Sequence, residues 1–398
     1  MLLLTLVVLM AGFAFTQYFV NVHRNVEQSL AQRWFTRGEQ AMRAGQAAAA
    51  ADDYRTALSY DRENRLYRLR LSQALLASNR LNEARSRLLS LWEEEPANGE
   101  VNLALARLHV RRGSPREAVR YYRNAINGVW GNDSREQRTA SRFELVQYLM
   151  QQHDNGQAAA ELLALQADEP PGIPERLRLA DLLLQTGEAA RSADVYKSVL
   201  KDDPNNAQAW LGLGNGSLAL ADYGGAEHAL ATAVQHDPNS AQARQQLQLV
   251  REVLQLAPSL RGLSLAERTR RVAKAFEIAM SRLVSCVSQH GYTLEPPATM
   301  KTSGASDHAA ASPPAGKVAP SSGSETPAPD DLQRLYSSGL QKKAGASEAA
   351  LRRNPDALES TMQYVFNVEQ ATAAACPSME ESDRALLVLA RQESVNLR

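Results

Sequence analysis

The sequence predicts an all-α protein, a solenoid of helix-turn-helix repeats followed by a helical C-terminal module. Three observations lead there. Phe, Trp and Tyr make up only 6% of 398 residues while Ala, Leu, Gln, Glu and Arg abound, a composition of helices rather than of a sandwich or barrel. Small and aromatic residues recur in register every 34 residues. Within each period apolar residues fall at i, i+3, i+4 and i+7, which describes two amphipathic helices. Composition also excludes classes of function. Lys+Arg and Asp+Glu both total 44, so the formal net charge is zero, unlike the basic footprint of a nucleic-acid binder. Two cysteines, Cys286 and Cys376, rule out a disulfide-dense scaffold and any CxxC zinc pattern.

The first element is an apolar run. Residues 1–20, MLLLTLVVLMAGFAFTQYFV, carry no charge and are apolar apart from Thr5, Thr16 and Gln17. At about 1.5 Å per residue they reach across a hydrocarbon core of about 30 Å. Tyr18 and Phe19 fall where an interfacial belt lies, with His23 and Arg24 next. The expectation is a retained single-pass transmembrane anchor at 1–21 with a juxtamembrane segment at 22–30. The alternatives are a signal peptide cut after Ala14, which would lack the usual basic region, and a buried core helix. Arg24, Arg33 and Arg37 favour a cytoplasmic body by the positive-inside rule. The cysteines favour an extracytoplasmic one (periplasmic in a bacterium), and that is the orientation expected, with the cytoplasmic one kept as the alternative.

Repeats come next. Trp34, Gly38, Ala50, Tyr54 and Ala57 occupy the same offsets as Trp210, Gly214, Ala226, Leu230 and Ala233, the latter set closed by Pro238. Between them the period continues through Ala84, Leu88, Leu91 and Pro96, then Ala118, Tyr122 and Ala125. Ala158, Leu162, Leu165 and Pro170 follow, then Ser192, Tyr196, Val199 and Pro204. The solenoid therefore spans 31–257, with units 31–64, 65–98, 99–132, 139–172, 173–206 and 207–240 and a capping helix at 241–257. Six extra residues, 133–138, are expected to lengthen one loop. Gly38, Ala50, Gly214 and Ala226 let paired helices approach closely, and Gly45, Gly113 and Gly187 mark the turns within units.

This pattern resembles the tetratricopeptide-repeat family over roughly 210 of the 398 residues. The sequence departs from the family where a large aromatic is expected in the middle of each first helix: Ala41, Leu75, His109, Leu149, Leu183 and Ser217 stand there. Units one and three also lack the closing Pro. The resemblance implies a right-handed superhelix of six units whose first helices line a concave groove, with other proteins as partners in that groove. One groove column reads Phe35, Leu69, Leu103, Phe143, Leu177 and Leu211; another reads Met42, Leu76, Val110, Met150, Leu184 and Leu218. Between them stand Glu39, Gln73, Arg107, Gln147, Asp181 and Asn215. An apolar groove with polar punctuation suits a helix or extended peptide with spaced apolar anchors. Equally, these residues can pack on neighbouring repeats. Some family members clamp an acidic C-terminus with groove Lys and Asn, but Phe or Leu fills the first column here. Arg107 and Arg111, one turn apart, are offered as a carboxylate receptor, and Arg116, Arg120 and Arg123 as a stripe for an acidic partner or anionic headgroups.

Beyond the array, 258–294 holds a helical segment with Leu265, Val272, Phe276, Met280 and Leu283 in phase. Residues 295–329 are nearly all Pro, Ala, Ser, Gly or Thr and read as a disordered linker. Residues 330–398 read as helical again, with Met362, Val365, Phe366 and Val368 on one face. Cys286 and Cys376 each end an apolar helix, so either a disulfide across the linker or two buried thiols fits.

Searches for chemistry return nothing specific. HExxH, a phosphate-binding GxxxxGK[ST], a nucleophile elbow and a zinc quartet are all absent from the sequence, so neither metal nor cofactor is expected. Gly212, Gly214 and Gly216 fall in a repeat helix rather than a strand-to-helix turn. Asn132 and Asn215 begin chance-length glycosylation sequons. The expected function is a non-catalytic, membrane-anchored interaction scaffold or assembly co-chaperone, with no nucleic acid and no small-molecule substrate. The alternative is an accessory subunit of an envelope enzyme or complex with an activity in 264–398.

Overall fold

The computed structural model describes residues 2–131, 134–168, 172–289 and 329–396. They divide into two compact units, Met1–Pro171 and Gly172–Arg398. The first contains four antiparallel helix pairs: α1 (Leu2–Arg43) with α2 (Ala47–Tyr60), α3 (Arg65–Ala77) with α4 (Leu81–Glu94), α5 (Gly99–Arg111) with α6 (Pro115–Ile126), and α7 (Ser134–Gln151) with α8 (Asn155–Ala167). The second contains two more pairs, α9 (Ile173–Gln185) with α10 (Ala189–Asp202) and α11 (Ala207–Ala219) with α12 (Tyr223–His236). The fold is an all-α helical-repeat solenoid. Among the described residues there is no strand, only an isolated bridge between Asn98 and Val129.

Local chemistry sets the period. Asn64, Asn98, Asn206 and Ser240 each accept a hydrogen bond from the amide three residues on, capping the first helix of a pair at the same repeat position. Between the two helices of every pair the chain turns through one residue in the left-handed region: Gly45, Asn79, Gly113, His153, Gly187 and Ala221. The Gln46 amide reaches back to the Ala41 carbonyl at 2.9 Å and the Gly45 amide to that of Met42 at 3.1 Å, closing the end of α1. The only break in the spacing of these six residues is the insertion before His153. Residues 134–138 do not form the expected longer loop: α7 begins at Ser134, so they are wound into the front of an 18-residue helix. The segment SREQR has good helix formers and no Gly or Pro to stop it.

Packing follows from small residues at the crossings. A Cβ added to Gly38 would lie 2.6 Å from Tyr54 Cε1, and one added to Gly214 would lie 2.5 Å from Leu230 Cγ. The residues pressed into these gaps are buried along the second helices, Tyr54, Leu88, Tyr122 and Leu162 in the first unit and Tyr196 and Leu230 in the second, none more than 2% exposed.

In the second unit, α13 (Ala241–Leu256) follows the repeats, then α14 (Leu265–Gln289), α15 (Pro329–Lys342), α16 (Glu348–Arg353), α17 (Ala357–Ala375) and α18 (Glu381–Asn396). Val253 and Leu256 of α13 share one apolar core with Phe276 and Leu283 of α14, Val365 and Phe366 of α17, and Leu386 and Leu389 of α18. The outer side of α13 is covered by α18, with Gln248 bonded to Glu381. Cys286 and Cys376 are joined by a disulfide between α14 and the end of α17, with Cα atoms 5.8 Å apart. The linker read at 295–329 lies outside the described residues except for Pro329, which opens α15, as does the sequon residue Asn132.

At the other end of the chain α1 runs unbroken for 42 residues from the apolar segment into the first repeat. The side chains of 1–9, 11, 14 and 19 lie outside the described residues. Among the described residues no helix is long and apolar enough to cross a membrane, so the anchor expected at 1–21 gains no support there.

Candidate protein-binding groove

In the first unit the groove residues come from α1, α3, α5 and α7. Phe35 is half-buried and stacks on Tyr67, with ring centroids 4.6 Å apart, and tilts against Tyr54 at 5.7 Å. Met42, Leu103 and Met150 are likewise half-buried, so each keeps apolar surface open to solvent. Leu69 and Phe143 correct the expectation: at 7% and 2% exposure they are core residues and present almost nothing to a partner.

The acidic residues of this groove serve the buried tyrosines. The Tyr54 hydroxyl donates to Glu39 at 2.7 Å, and Glu39 also faces Arg70 at 3.4 Å. Arg70 in turn donates to Gln73 at 2.9 Å. The Tyr122 hydroxyl donates to Glu144 at 2.8 Å, and Arg107 clasps the same carboxylate through Nε at 2.9 Å and Nη2 at 2.8 Å. Burial pushes the Glu144 carboxyl up, but the bonds and charge of Arg107 outweigh it and leave the group below its ordinary value. Burial and the facing carboxylates hold the Tyr54 and Tyr122 phenols far above theirs. A buried phenol needs an acceptor, and these acids supply it.

The carboxylate receptor expected at Arg107 and Arg111 is therefore not formed. Arg107 is engaged by Glu144, and Arg111 donates to the Leu76 carbonyl at 2.9 Å. Gln147 is exposed. Arg123, expected in a free stripe, bonds Glu161 at 3.0 Å and Gln157 at 3.0 Å.

In the second unit, Leu177 is buried and Leu211 half-buried, while Asp181 accepts a hydrogen bond from the Tyr196 hydroxyl. Asn215 is half-buried. The pairing rule is the same in both units. A charged groove residue stands where the second helix carries Tyr, and Gln73, Gln147 or Asn215 stands where it carries Leu88, Leu162 or Leu230.

One cluster went unnoticed in the sequence. Arg282 of α14, 7% exposed, donates to Thr372 at 2.6 Å, to Asp383 at 2.9 Å and to the Cys376 carbonyl at 3.1 Å. Glu369, fully buried, lies 3.4 Å from it. The signal was present as isolated charges in apolar helices, AMSRLVSC and VFNVEQATA.

Comparison with known proteins agrees with this architecture. Family models described as tetratricopeptide repeat match residues 41–108 and 183–248, and a second such model matches 143–206. The chain carries tetratricopeptide repeats. The chain is similar to a cellulose synthase operon protein C of Escherichia coli O157:H7, 25% identical over 199 residues. That match covers 50% of this chain and only 17% of the relative, so the chain spans less than a fifth of the curated protein it resembles. Among solved structures, YrrB, a TPR protein with an unusual peptide-binding site, is 16% identical with a TM-score of 0.37 and covers 49% of this chain and 97% of its own. PilF of Pseudomonas aeruginosa is 15% identical with a TM-score of 0.38, covering 55% and 97%. Tetratricopeptide repeats generally bind other proteins.

Proposed function

We propose that this protein is a non-catalytic, membrane-tethered scaffold whose first unit holds a helical or extended segment of a partner protein. One observation carries the reading. In the groove of that unit Glu39, Arg70, Arg107 and Glu144 neutralise one another or cap buried phenols and Arg111 is held by a backbone carbonyl, while Phe35, Met42, Leu103 and Met150 keep apolar surface open. Such a surface selects by apolar anchors and shape rather than by charge. Methionine adapts to irregular partners, which suits a component that handles several of them during assembly.

The tether rests on α1. Met10, Phe13, Phe15 and Tyr18 are each about two-thirds exposed and point to different sides of the helix. A helix that is apolar all round has lipid as its natural surroundings. The disulfide supports an oxidising, extracytoplasmic location for the body. A second reading, an accessory subunit of a membrane complex with an activity of its own in 264–398, draws on the likeness to a cellulose synthase operon protein.

The test is site-specific photo-crosslinking in native membranes with the full chain. A benzophenone side chain at Met42, Leu103 or Met150 is expected to give discrete protein adducts, and one at the exposed Arg87 of α4 none. Equal adducts from both sets would refute the groove. Extraction of the chain by alkaline carbonate would refute the tether.

A further inference from the structure

Many arginines of the first unit's repeats are matched to carboxylates. Arg55 faces Asp52 and Glu83, Arg68 faces Glu94, Arg123 faces Glu161 and Arg142 faces Asp168. One place differs. Arg85 of α4, Arg112 after α5, and Arg116 and Arg120 of α6 are exposed, and none of them makes an ion pair among the described residues.

Arg85, Arg112 and Arg120 surround one aromatic stack, and Arg116 stands one turn before Arg120. The His109 ring stacks on Tyr121 at 5.2 Å, and the Arg120 guanidinium lies 4.7 Å from the Tyr121 ring centroid. Arg112 reaches across to Asn82 at 3.2 Å, tying the end of α5 to the first turn of α4, where Arg85 stands one turn further on. Arg116 and Arg120 are one turn apart on α6. Burial, with Arg112, Arg85 and Arg120 nearby and only Glu117 opposing them, holds the His109 imidazole below its usual value. Its Nδ1 is buried and has no hydrogen-bond partner. α4 and α6 both begin at this edge, and neither has a side-chain cap on its first amides. Their positive dipole ends add to the guanidinium charge.

We propose that this edge is a docking site for an acidic segment of a partner protein, separate from the groove and independent of whether the groove reading holds. Guanidinium groups on a partly aromatic base recognise carboxylates in pairs, and the field of four unmatched cations draws an acidic chain from a distance. The position argues for protein rather than for lipid headgroups. α1, α3 and α5 run in the same direction, each returned by an antiparallel partner, so the turns before α2, α4 and α6 share one edge. The apolar start of α1 leaves from the opposite edge.

The experiment follows a labelled dodecaglutamate peptide by fluorescence anisotropy with the full chain. The patch variant is Arg85→Glu/Arg116→Glu/Arg120→Glu. The control, Arg24→Glu/Arg33→Glu/Arg62→Glu, makes the same change in net charge at exposed arginines elsewhere in the unit. The peptide is expected to bind, to bind more weakly as salt rises, and to lose at least about tenfold in affinity with the patch variant but not with the control. The milder pair Arg116→Ala/Arg120→Ala, with helicity checked by circular dichroism, is expected to lose a few-fold, so misfolding of the triple variant does not shelter the idea. No binding, or equal loss in patch and control variants, overturns it. So does a patch variant that keeps the peptide but loses binding to vesicles of phosphatidylglycerol, which would make lipid the occupant.

Discussion

Arg107 clasps Glu144 from the neighbouring repeat pair, Nε at 2.9 Å and Nη2 at 2.8 Å, on the same carboxylate that receives the Tyr122 hydroxyl. A residue that looked available for a ligand is instead a bolt between α5 and α7. Arg107→Ala is expected to lower the stability of the first unit by about 1–2 kcal/mol at pH 7 in urea titrations, because it strips a charged, half-buried acceptor of its partner. Glu144 has its folded pKa depressed, so this stabilisation is present above about pH 4.5 and fades as pH falls through the folded value. The gap between wild type and variant should narrow at pH 3. A gap independent of pH would contradict the assignment.

Glu369 titrates in the opposite sense. Burial, and then Asp383, push its carboxyl up to about 8 against the pull of Arg282. One guanidinium between two buried carboxyls leaves room for one proton. The folded pKa lies above the unfolded value of 4.5, so folding is favoured most below 4.5 and stability declines as pH rises to about 8. Glu369→Gln should flatten that decline, which at its steepest approaches about 1.4 kcal/mol per pH unit. Parallel stability–pH curves for wild type and variant would refute it. Arg282→Ala, by leaving both carboxyls buried without a cation, is expected to cost about 3–5 kcal/mol.

Reduction of the Cys286–Cys376 bond releases a loop with a sequence separation of 90 residues. On the chain-entropy account this lowers stability by about 4–5 kcal/mol. Calorimetry of the Cys286→Ser/Cys376→Ser variant should show the transition of the Gly172–Arg398 unit moving down while that of the Met1–Pro171 unit stays in place. A shift in both would show that the two units do not unfold independently.

The turn residue of each pair offers a test with both signs. Ala221 has φ +59°, a conformation that strains any residue with a Cβ, so Ala221→Gly should gain roughly 0.5–1 kcal/mol. At the equivalent position Gly45, with φ +73° and open space around it, Gly45→Ala should lose about 1 kcal/mol. Gly214→Ala meets Leu230 instead and should lose about 1–3 kcal/mol through crowding. Thermal melts of the three variants order them.

What the sequence displayed was whatever repeats. Gly38 against Tyr54 and Gly214 against Leu230 were legible because they return at fixed offsets. The turn glycines were legible for the same reason, although Asn79, His153 and Ala221 fill that position without announcing it. The role of Glu39, Arg107 and Asp181 was not, because a charge on a predicted groove face looks the same whether it faces water or a phenol on the next helix. The decisive clue lies in another column, the Tyr54, Tyr122 and Tyr196 positions, because a buried phenol needs an acceptor on the facing helix. Phe143 and Leu69 were misplaced for a geometric reason: helical phase gives the face of a residue but not how deeply neighbouring pairs close over it. An insertion in a repeat need not be a loop, because SREQR at 134–138 simply extends the helix.

The joining of α14 to α17 also has a consequence for biosynthesis. At about 5–20 residues per second, the ribosome completes Cys286 some 5–18 s before Cys376 exists. Through that interval α14 has made neither its covalent bond nor its main apolar contacts, because Val365, Phe366, Leu386 and Leu389 are still to be translated. The nascent chain thus carries an unpaired thiol and a bare apolar helix behind an already complete repeat array. Its last core can close only once α17 and α18 have been made, which makes this segment the stage at which a folding helper would have most to do.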